Sequence, residues 1–352
     1  MTAVTGGGIT LALIALDVDR VDQALHLAEA LGGRGHRVTV HTSVPLPGDL
    51  PAGSRSVLSP DPVRDFGRQW IRHHAEAPDV VHTLSPTSVR AVAALTGVAA
   101  PVVHSHRPGD PLEDVLSETV DHVIVGGNTE LAVVAGAGVP RSAVSVVVEG
   151  VLGTGWRPDG PATRRSEVTR VVYRGALCPG DGADTAIAAL PWIPAAELLI
   201  SADVDPDRHH VEDEAGRLRA GAAALGVADR VRIVGPPDPD LLRSADIVVH
   251  APWTTRPVQP VLQAMACGVP VIATAVGTLP ETVLPDLTGV LVPPRDPRAL
   301  GLATRRLLVD KTRLTAFSIA AVDRIEQRHT RAQIAAETTR VYLDHVATDG
   351  AS

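Results

Sequence analysis

The stretch "LQAMACGVPVIATAVGTLPETVLPDLTGVLVPP", residues 262–294, decides how the chain is interpreted. A short helical pattern ends at Gly268, where a positive φ is expected. The run "VPVIAT" then predicts a buried strand, and Gly277 and Thr278 predict a turn before a second helix. Backbone N–H groups at the start of that helix would attract a phosphate or a sugar hydroxyl. Glu281, just inside the helix, either accepts hydrogen bonds from a sugar or complements the helix dipole.

The same alternation of apolar strand and amphipathic helix extends through the rest of the chain. The strands "ITLALIAL" (9–16) and "HRVTVHT" (36–42) enclose a helical pattern, which is typical of a βαβ unit. Further strands are predicted at 79–85, 100–106, 121–128 and 143–150, and at 169–175, 196–202, 229–235, 245–251, 270–274 and 289–294. This rhythm predicts the α/β class with parallel sheets.

Residues 152–168 are rich in Gly, Pro and charge and have no periodicity, so they are the best candidate for a linker. We expect an N-terminal Rossmann-like domain at 1–155 and a C-terminal one at 165–330. A last helix at 331–346 is expected to cross back onto the first domain. Ligands of doubly wound sheets bind outside the carboxyl ends of the strands, so we expect a site in a cleft between the domains.

Composition excludes several classes of function. The 352 residues carry a net charge of −8, which argues against a nucleic-acid partner. No apolar run reaches the roughly 18 residues of a membrane span, and the N-terminus lacks the basic region of a signal peptide. Cys178 and Cys267 are too few for a disulfide framework or a metal cage. We therefore expect a cytoplasmic protein without a transmembrane segment.

Residues 262–300 resemble the retaining GT-B glycosyltransferases of family 4, also called group 1. Weaker matches are "ALHLAEALGGRGHRVTV" (24–40), "DVVHTLS" (79–85), "PVVHSH" (101–106) and "YRGALCPGDGADTAIAAL" (173–190). The resemblance implies an α/β GT-B fold, with two Rossmann-like doubly wound domains facing a cleft. It also implies a nucleotide-sugar donor as substrate, an unknown acceptor, and no metal or other cofactor. Another two-domain Rossmann protein, such as a non-hydrolysing epimerase or a glycogen-phosphorylase relative, is the alternative.

The chain departs from the family pattern at the positions that recognise the donor. Where the resemblance implies two glutamates, for the donor sugar and the ribose, stand Thr255 and Gln263. Gln263 can still pair with a ribose diol. Ala176 and Asp181 stand where the resemblance implies an Arg and a Lys that neutralise the leaving diphosphate. Arg174 is close in sequence but is expected on the other face of its strand.

Further candidate residues come from the ends of predicted strands. His106 ends "PVVHSH", and the resemblance implies that it contacts the donor sugar as the catalytic residue. His82 is expected at the rim of the cleft. His104 and His106 share a strand face, but nothing at ligand spacing completes a metal site. Gly235 joins the donor-binding candidates Gln263, Thr255, Gly277, Thr278 and Glu281.

Three functions remain open from the sequence. The first is a glycosyltransferase with altered donor contacts. The second is a catalytically silent relative that binds a ligand or serves as a partner glycosyltransferase subunit. The third is an enzyme of changed donor chemistry. The substitutions at Ala176 and Asp181 predict weak binding of ordinary nucleotide sugars, which Ala176→Arg with Asp181→Lys is expected to strengthen.

Overall fold

The computed structural model describes residues 8–46, 49–61, 64–163, 168–203 and 209–349. The chain divides into two compact units. The N-terminal unit comprises Met1–Gly153 with Thr330–Ser352, and the C-terminal unit comprises Thr154–His329. The predicted linker spans this boundary, although residues 164–167 lie outside the described part of the chain.

The N-terminal unit is built on a seven-stranded parallel sheet of order β3-β2-β1-β4-β5-β6-β7. Its strands are β1 Thr10–Ala15, β2 Arg37–Thr42, β3 Arg55–Leu58, β4 Val80–Thr83, β5 Val102–Ser105, β6 His122–Val125 and β7 Val144–Val146. Its first five helices are α1 Val21–Gly32, α2 Phe66–His73, α3 Pro86–Ala93, α4 Leu112–Val115 and α5 Asn128–Gly136.

The apolar run of β1 is continuous because the strand is covered on both faces. Leu11 and Leu13 belong to the cluster that includes α1, whereas Ile14 belongs to the cluster formed with Phe66 and Val92. Alternate side chains of a strand point to opposite faces, so burial on both sides removes the polar positions that a half-exposed strand would show.

The C-terminal unit contains a six-stranded parallel sheet of order β10-β9-β8-β11-β12-β13. Its strands are β8 Thr169–Ala176, β9 Ala196–Asp203, β10 Val231–Val234, β11 Ile247–His250, β12 Val271–Thr274 and β13 Gly289–Val292. Its helices are α6 Ala183–Ala189, α7 His209–Ala224, α8 Pro239–Arg243, α9 Gln259–Ala266, α10 Leu279–Thr282, α11 Pro297–Val309 and α12 Lys311–Arg328.

The strand order of the C-terminal sheet reverses between β8 and β11, which are neighbours in the sheet but not in sequence. Such a reversal leaves a crevice at the carboxyl ends of the two strands, because their connections leave in opposite directions. We call this place the switch crevice. The prediction of two parallel-sheet Rossmann-like units is confirmed.

The last helix, α13 (Arg331–Asp349), packs against α1 of the N-terminal unit. The hydroxyl of Tyr342 lies 2.6 Å from Nδ1 of His82, and both side chains are fully buried. Nε2 of His82 lies 2.8 Å from Oγ of Ser105. The prediction that His82 lies at the rim of a cleft is therefore wrong, because the ring is buried and its two nitrogens bond to Tyr342 of α13 and Ser105 of β5. No helix among the described residues combines the length and apolar character needed to cross a membrane.

Candidate functional site

The loop after β8 is pressed against the loop after β11 at the switch crevice. Gly182 has φ +93°, and a Cβ at this position would lie 1.8 Å from the carbonyl oxygen of Ala251. The backbone N–H of Trp253 donates to the carbonyl of Gly180 at 2.8 Å. Only glycine permits both this φ and this approach, so the sequence "PGDG" is required by the packing of the two loops.

Asp181 occupies the centre of this contact. Its Oδ2 accepts a hydrogen bond from the backbone N–H of Ala176 at 2.9 Å, and its Oδ1 accepts one from Nε of Arg256 at 2.5 Å. The hydroxyl of Tyr173 donates to its main-chain carbonyl at 2.8 Å. The side chain is 5% exposed. Arg256 therefore neutralises the carboxylate of Asp181, the residue that stands where the family resemblance implies a phosphate-binding cation.

The Asp181–Arg256 pair sets the protonation of its neighbours. Burial, and then the negative charge of Asp181, raise the pKa of the Cys178 thiol to about 11, so the thiol is protonated at neutral pH. The hydrogen bond to Asp181 raises the pKa of Arg256. Cys178 is thus no nucleophile in this environment, and Arg256 keeps its charge throughout the physiological range.

Arg174 lies on the face of β8 that meets α9. Its Nη2 donates to Oε1 of Gln263 at 2.8 Å, and its Nη1 donates to the carbonyl of Ser201 at 3.2 Å. The side chain is fully buried. The sequence placed Arg174 on the strand face opposite the phosphate region, and in the structure its guanidinium contacts the donor-binding candidate Gln263. The carbonyl oxygen of Gln263 is already an acceptor for Arg174, so a ribose would have to share it.

His250, at the end of β11, supports Arg174 from the neighbouring strand. Its Nδ1 lies 2.7 Å from the main-chain carbonyl of Arg174, so Nδ1 carries the proton and donates. Burial lowers the pKa of His250 to about 4. The ring is therefore neutral at pH 7. The sequence alone gives no signal for this residue, because histidines at strand ends are common.

In the turn after β12, two of the predicted donor-binding residues, Gly277 and Thr255, lie against each other. Gly277 has φ +54°, and a Cβ there would lie 2.4 Å from Cγ2 of Thr255. Thr278 is at the N-cap position of α10, without a capping hydrogen bond from its side chain, and α10 is only four residues long. The guanidinium of Arg324 donates through Nη2 to the main-chain carbonyl of Glu281 at 2.5 Å and through Nε to that of Thr282 at 2.9 Å. Because α10 is a single turn, the expected helix dipole is weak, and Arg324 fixes the turn from behind.

Two aromatic and cationic groups stand beside the glycine loop. The indole N–H of Trp253 donates to Oγ1 of Thr185 at 3.0 Å, and the guanidinium of Arg295 lies 4.5 Å from the centre of the indole ring. This stacking orients Trp253. Gly235 is exposed at the end of β10, and its carbonyl accepts from Oγ of Ser201 at 3.3 Å.

In the N-terminal unit, His106 follows β5 and is nearly buried. Its backbone N–H donates to the carbonyl of Ile124 at 2.9 Å. Its pKa is lowered, first by burial, against an opposing effect of the Asp110 charge. Within the described part of the chain, Nδ1 of His106 has no hydrogen-bond partner. A neutral imidazole with one uncommitted nitrogen can bind a hydroxyl group.

His104, His106 and Asp110 form a group whose candidate ligand atoms lie within 4.8 Å of one another. Oδ1 of Asp110 accepts from Nη2 of Arg20 at 2.6 Å, and Nδ1 of His104 lies 3.0 Å from Oγ1 of Thr83. The carboxylate is already neutralised by a guanidinium, so the group favours a hydrogen-bonded arrangement over a cation site.

Comparison with solved structures defines the class of fold. The chain is similar to a sucrose-phosphate synthase of Thermosynechococcus elongatus, with a TM-score of 0.82 and 22% identity over 97% of this chain and 100% of that one. It is similar to Anabaena HepE, solved in complex with UDP-glucose, with a TM-score of 0.75 and 17% identity over 95% of this chain and 100% of that one. The fold is that of the GT-B glycosyltransferases.

Residues 168–310 match the family model for glycosyl transferases group 1. Among curated proteins, the D-inositol 3-phosphate glycosyltransferase of Salinispora tropica is 40% identical over 31% of this chain and 23% of its own length. The enzyme of the same name from Mycobacteroides abscessus is 34% identical over 45% of this chain and 36% of its own length. The chain thus matches roughly a quarter to a third of these two relatives. Over residues 168–310, the C-terminal unit is therefore similar to the group 1 glycosyltransferases, as the sequence resemblance predicted.

Proposed function

We propose that this protein is a glycosyltransferase that transfers a sugar, with retention, from a nucleotide-sugar donor held by the C-terminal unit. The observation that carries the proposal is the switch crevice. There, the loops after β8 and β11 are packed together by Gly182 and joined by the Asp181–Arg256 pair. This crevice lies within the region that matches the group 1 family. Ligands of open α/β sheets bind at such a reversal of strand order.

The chemistry of transfer requires groups that stabilise charge on the leaving nucleotide. Breaking the glycosidic bond of a nucleotide sugar leaves negative charge on the phosphate, and fixed cations and dipoles lower the energy of that state. A charged guanidinium is present at the crevice, and it is held in place by a buried carboxylate. Such fixed geometry avoids reorganisation during the reaction.

The donor-binding set in this proposal is Gln263, Thr255, Gly277, Thr278, Glu281 and Gly235. Of these, Gln263 is oriented by Arg174, and Thr255 packs on Gly277. The tight turn at Gly277 brings the backbone close to any ligand above it. His106 of the N-terminal unit is proposed as the catalytic residue, with the pKa of its ring lowered by burial so that it is neutral at pH 7.

The acceptor is proposed from the curated relatives. Those quoted above are named D-inositol 3-phosphate glycosyltransferases. D-inositol 3-phosphate is therefore the first acceptor to test, and no metal ion is part of the proposed reaction.

The experiment incubates the protein with UDP-, GDP-, ADP- and TDP-sugars, with and without D-inositol 3-phosphate, and measures released nucleotide and glycosylated product. At least one donor is expected to give product. The anomeric configuration, read by NMR, is expected to match that of the donor. His106→Ala should lower the rate at least tenfold at a temperature where its melting curve shows the variant folded, whereas His73→Ala, on the half-buried end of α2, should leave the rate unchanged. Absence of nucleotide release from every donor would contradict the proposal.

A second function is favoured by the internal pairing of the site. Arg174 is bound to Gln263, and Arg256 is bound to Asp181. Polar groups that satisfy one another suit a silent relative that binds a ligand or a partner glycosyltransferase subunit. Binding of a nucleotide sugar without release of nucleotide, under conditions where the folded protein is stable, would select this function.

A further inference from the structure

Among the described residues, Arg256 is the partly exposed cation that joins the two loops of the switch crevice, whereas the exposed Arg295 stacks on Trp253. Arg174, on β8, is fully buried and bound to Ser201 and Gln263. Arg256, on the loop after β11, has a side chain that is 36% exposed. An anion that enters the crevice from solvent therefore reaches Arg256 before it could reach Arg174.

Arg256 is held by the carboxylate of Asp181, and this carboxylate is itself fixed to the backbone. Oδ2 of Asp181 is held by the backbone N–H of Ala176 at 2.9 Å, and Oδ1 holds Nε of Arg256 at 2.5 Å. Asp181 belongs to the loop after β8, so the ion pair bridges the two strands between which the strand order reverses. The position of the guanidinium is thus set by both loops at once.

The pairing leaves Arg256 able to bind a second anion. A guanidinium has five N–H donors in a rigid plane, and the bond to Asp181 uses the one at Nε. Cys178 also hydrogen-bonds to the guanidinium. The two terminal Nη groups form a fork of N–H donors at the end of the plane, and such a fork matches two oxygens of one phosphate. Cys178, in contact with the pair, keeps its proton and adds no negative charge.

We propose that Arg256, held by Asp181, is the residue that binds the phosphate of the nucleotide in the C-terminal unit. This inference rests on the proposed function, since it assumes a phosphate-bearing ligand at the crevice. It moves the phosphate-binding cation from the loop after β8, where Ala176 and Asp181 stand, to the loop after β11. Asp181 then supports the phosphate contact, although its own charge is negative.

The experiment measures dissociation constants by calorimetry for UDP, GDP, ADP, TDP and pyrophosphate at several salt concentrations. The variants are Arg256→Gln, Arg256→Lys and Arg313→Gln. Arg313 is the matched control, because it is 40% exposed and is also paired with an aspartate, Asp286, on the same unit. Melting temperatures of all variants are measured first, and Arg256→Lys retains the charge if Arg256→Gln folds poorly.

The expected result is at least a tenfold weaker affinity for Arg256→Gln, with a shallower dependence on salt. Arg256→Lys should recover part of the affinity, and Arg313→Gln should stay within twofold of the wild type. Wild-type-like affinity in Arg256→Gln would overturn the inference while the proposed function stands. Arg256-dependent binding of pyrophosphate without binding of any nucleotide would support the inference and contradict the proposed function. Absence of binding of every probe by the wild type would overturn both.

Discussion

Replacing Asp181 with lysine is expected to destabilise the C-terminal unit rather than to repair a phosphate site. The sequence predicts that Asp181→Lys, together with Ala176→Arg, strengthens phosphate binding. In the structure, however, the carboxylate accepts hydrogen bonds from the N–H of Ala176 and from Arg256, and it is almost fully buried. A lysine loses both bonds and places an ammonium group next to the guanidinium of Arg256.

The magnitude follows from these contacts. A hydrogen bond to a charged group contributes about 1.5–3 kcal/mol, and breaking a buried ion pair costs about 3–5 kcal/mol. Arg256 is about one third exposed, so solvent screens part of the pair. We expect Asp181→Lys to lower the free energy of unfolding by about 3 kcal/mol and Asp181→Asn by about 1–2 kcal/mol, since the amide oxygen can keep the bond to Ala176. Adding Arg256→Ala to Asp181→Lys should restore about 1 kcal/mol by removing the repulsion.

The assay is urea unfolding followed by tryptophan fluorescence. Trp156, Trp192 and Trp253 lie in the C-terminal unit, so the signal reports mainly on that unit. The matched control is Asp286→Lys, because Asp286 is 76% exposed and paired with Arg313. Exposed pairs contribute about 0–1 kcal/mol, so this variant should unfold near the wild type. An Asp181→Lys protein as stable as the wild type would refute the structural role of the carboxylate.

Three further outcomes follow from the two units. Tyr342→Phe should lower the free energy of unfolding of the N-terminal unit by about 1–3 kcal/mol, measured by thermal melting, because Nδ1 of buried His82 loses its partner; an unchanged melting temperature would contradict it. Gly277→Ala should cost about 1–2 kcal/mol because of its positive φ and its approach to Thr255, and Thr255→Ala in that background should restore only the steric part. Burial lowers the pKa of His41 to about 3, so His41 stays neutral in the folded protein while in the unfolded chain it is protonated below about pH 6.5. The free energy of unfolding, measured with urea, should therefore fall from pH 7 to pH 5, and His41→Phe should make this pH dependence smaller.

The sequence predicted most of the strands because burial on both faces leaves long apolar runs, as in β1 and β8. It did not predict β3, whose pattern is mostly exposed, or α2, which buries only Phe66 among its residues. Neither element has enough apolar residues for a clear period. The helices α11 and α12 were also passed over, since their patterns are rich in arginine and weakly apolar.

At the site, the sequence identified the right loops but not the pairing within them. Glycines at 180, 182 and 277 have positive φ values that a sequence can suggest. The partners of Asp181 and Gln263 are Arg256 and Arg174, which are 75 and 89 residues away in sequence. Such pairs depend on which strands are neighbours across the reversal in strand order, and a single sequence carries no direct record of that.

Hydrogen–deuterium exchange of the wild-type protein, with and without a saturating nucleotide sugar, tests most directly the claim that the donor binds at the switch crevice. Because a bound ligand slows the opening of the backbone that it contacts, protection is expected in residues 176–182 and 252–259. The peptides of β1–β4 serve as the reference. Protection concentrated in the two crevice loops would agree with the account, whereas a bound nucleotide sugar that leaves the exchange of both loops unchanged would contradict it.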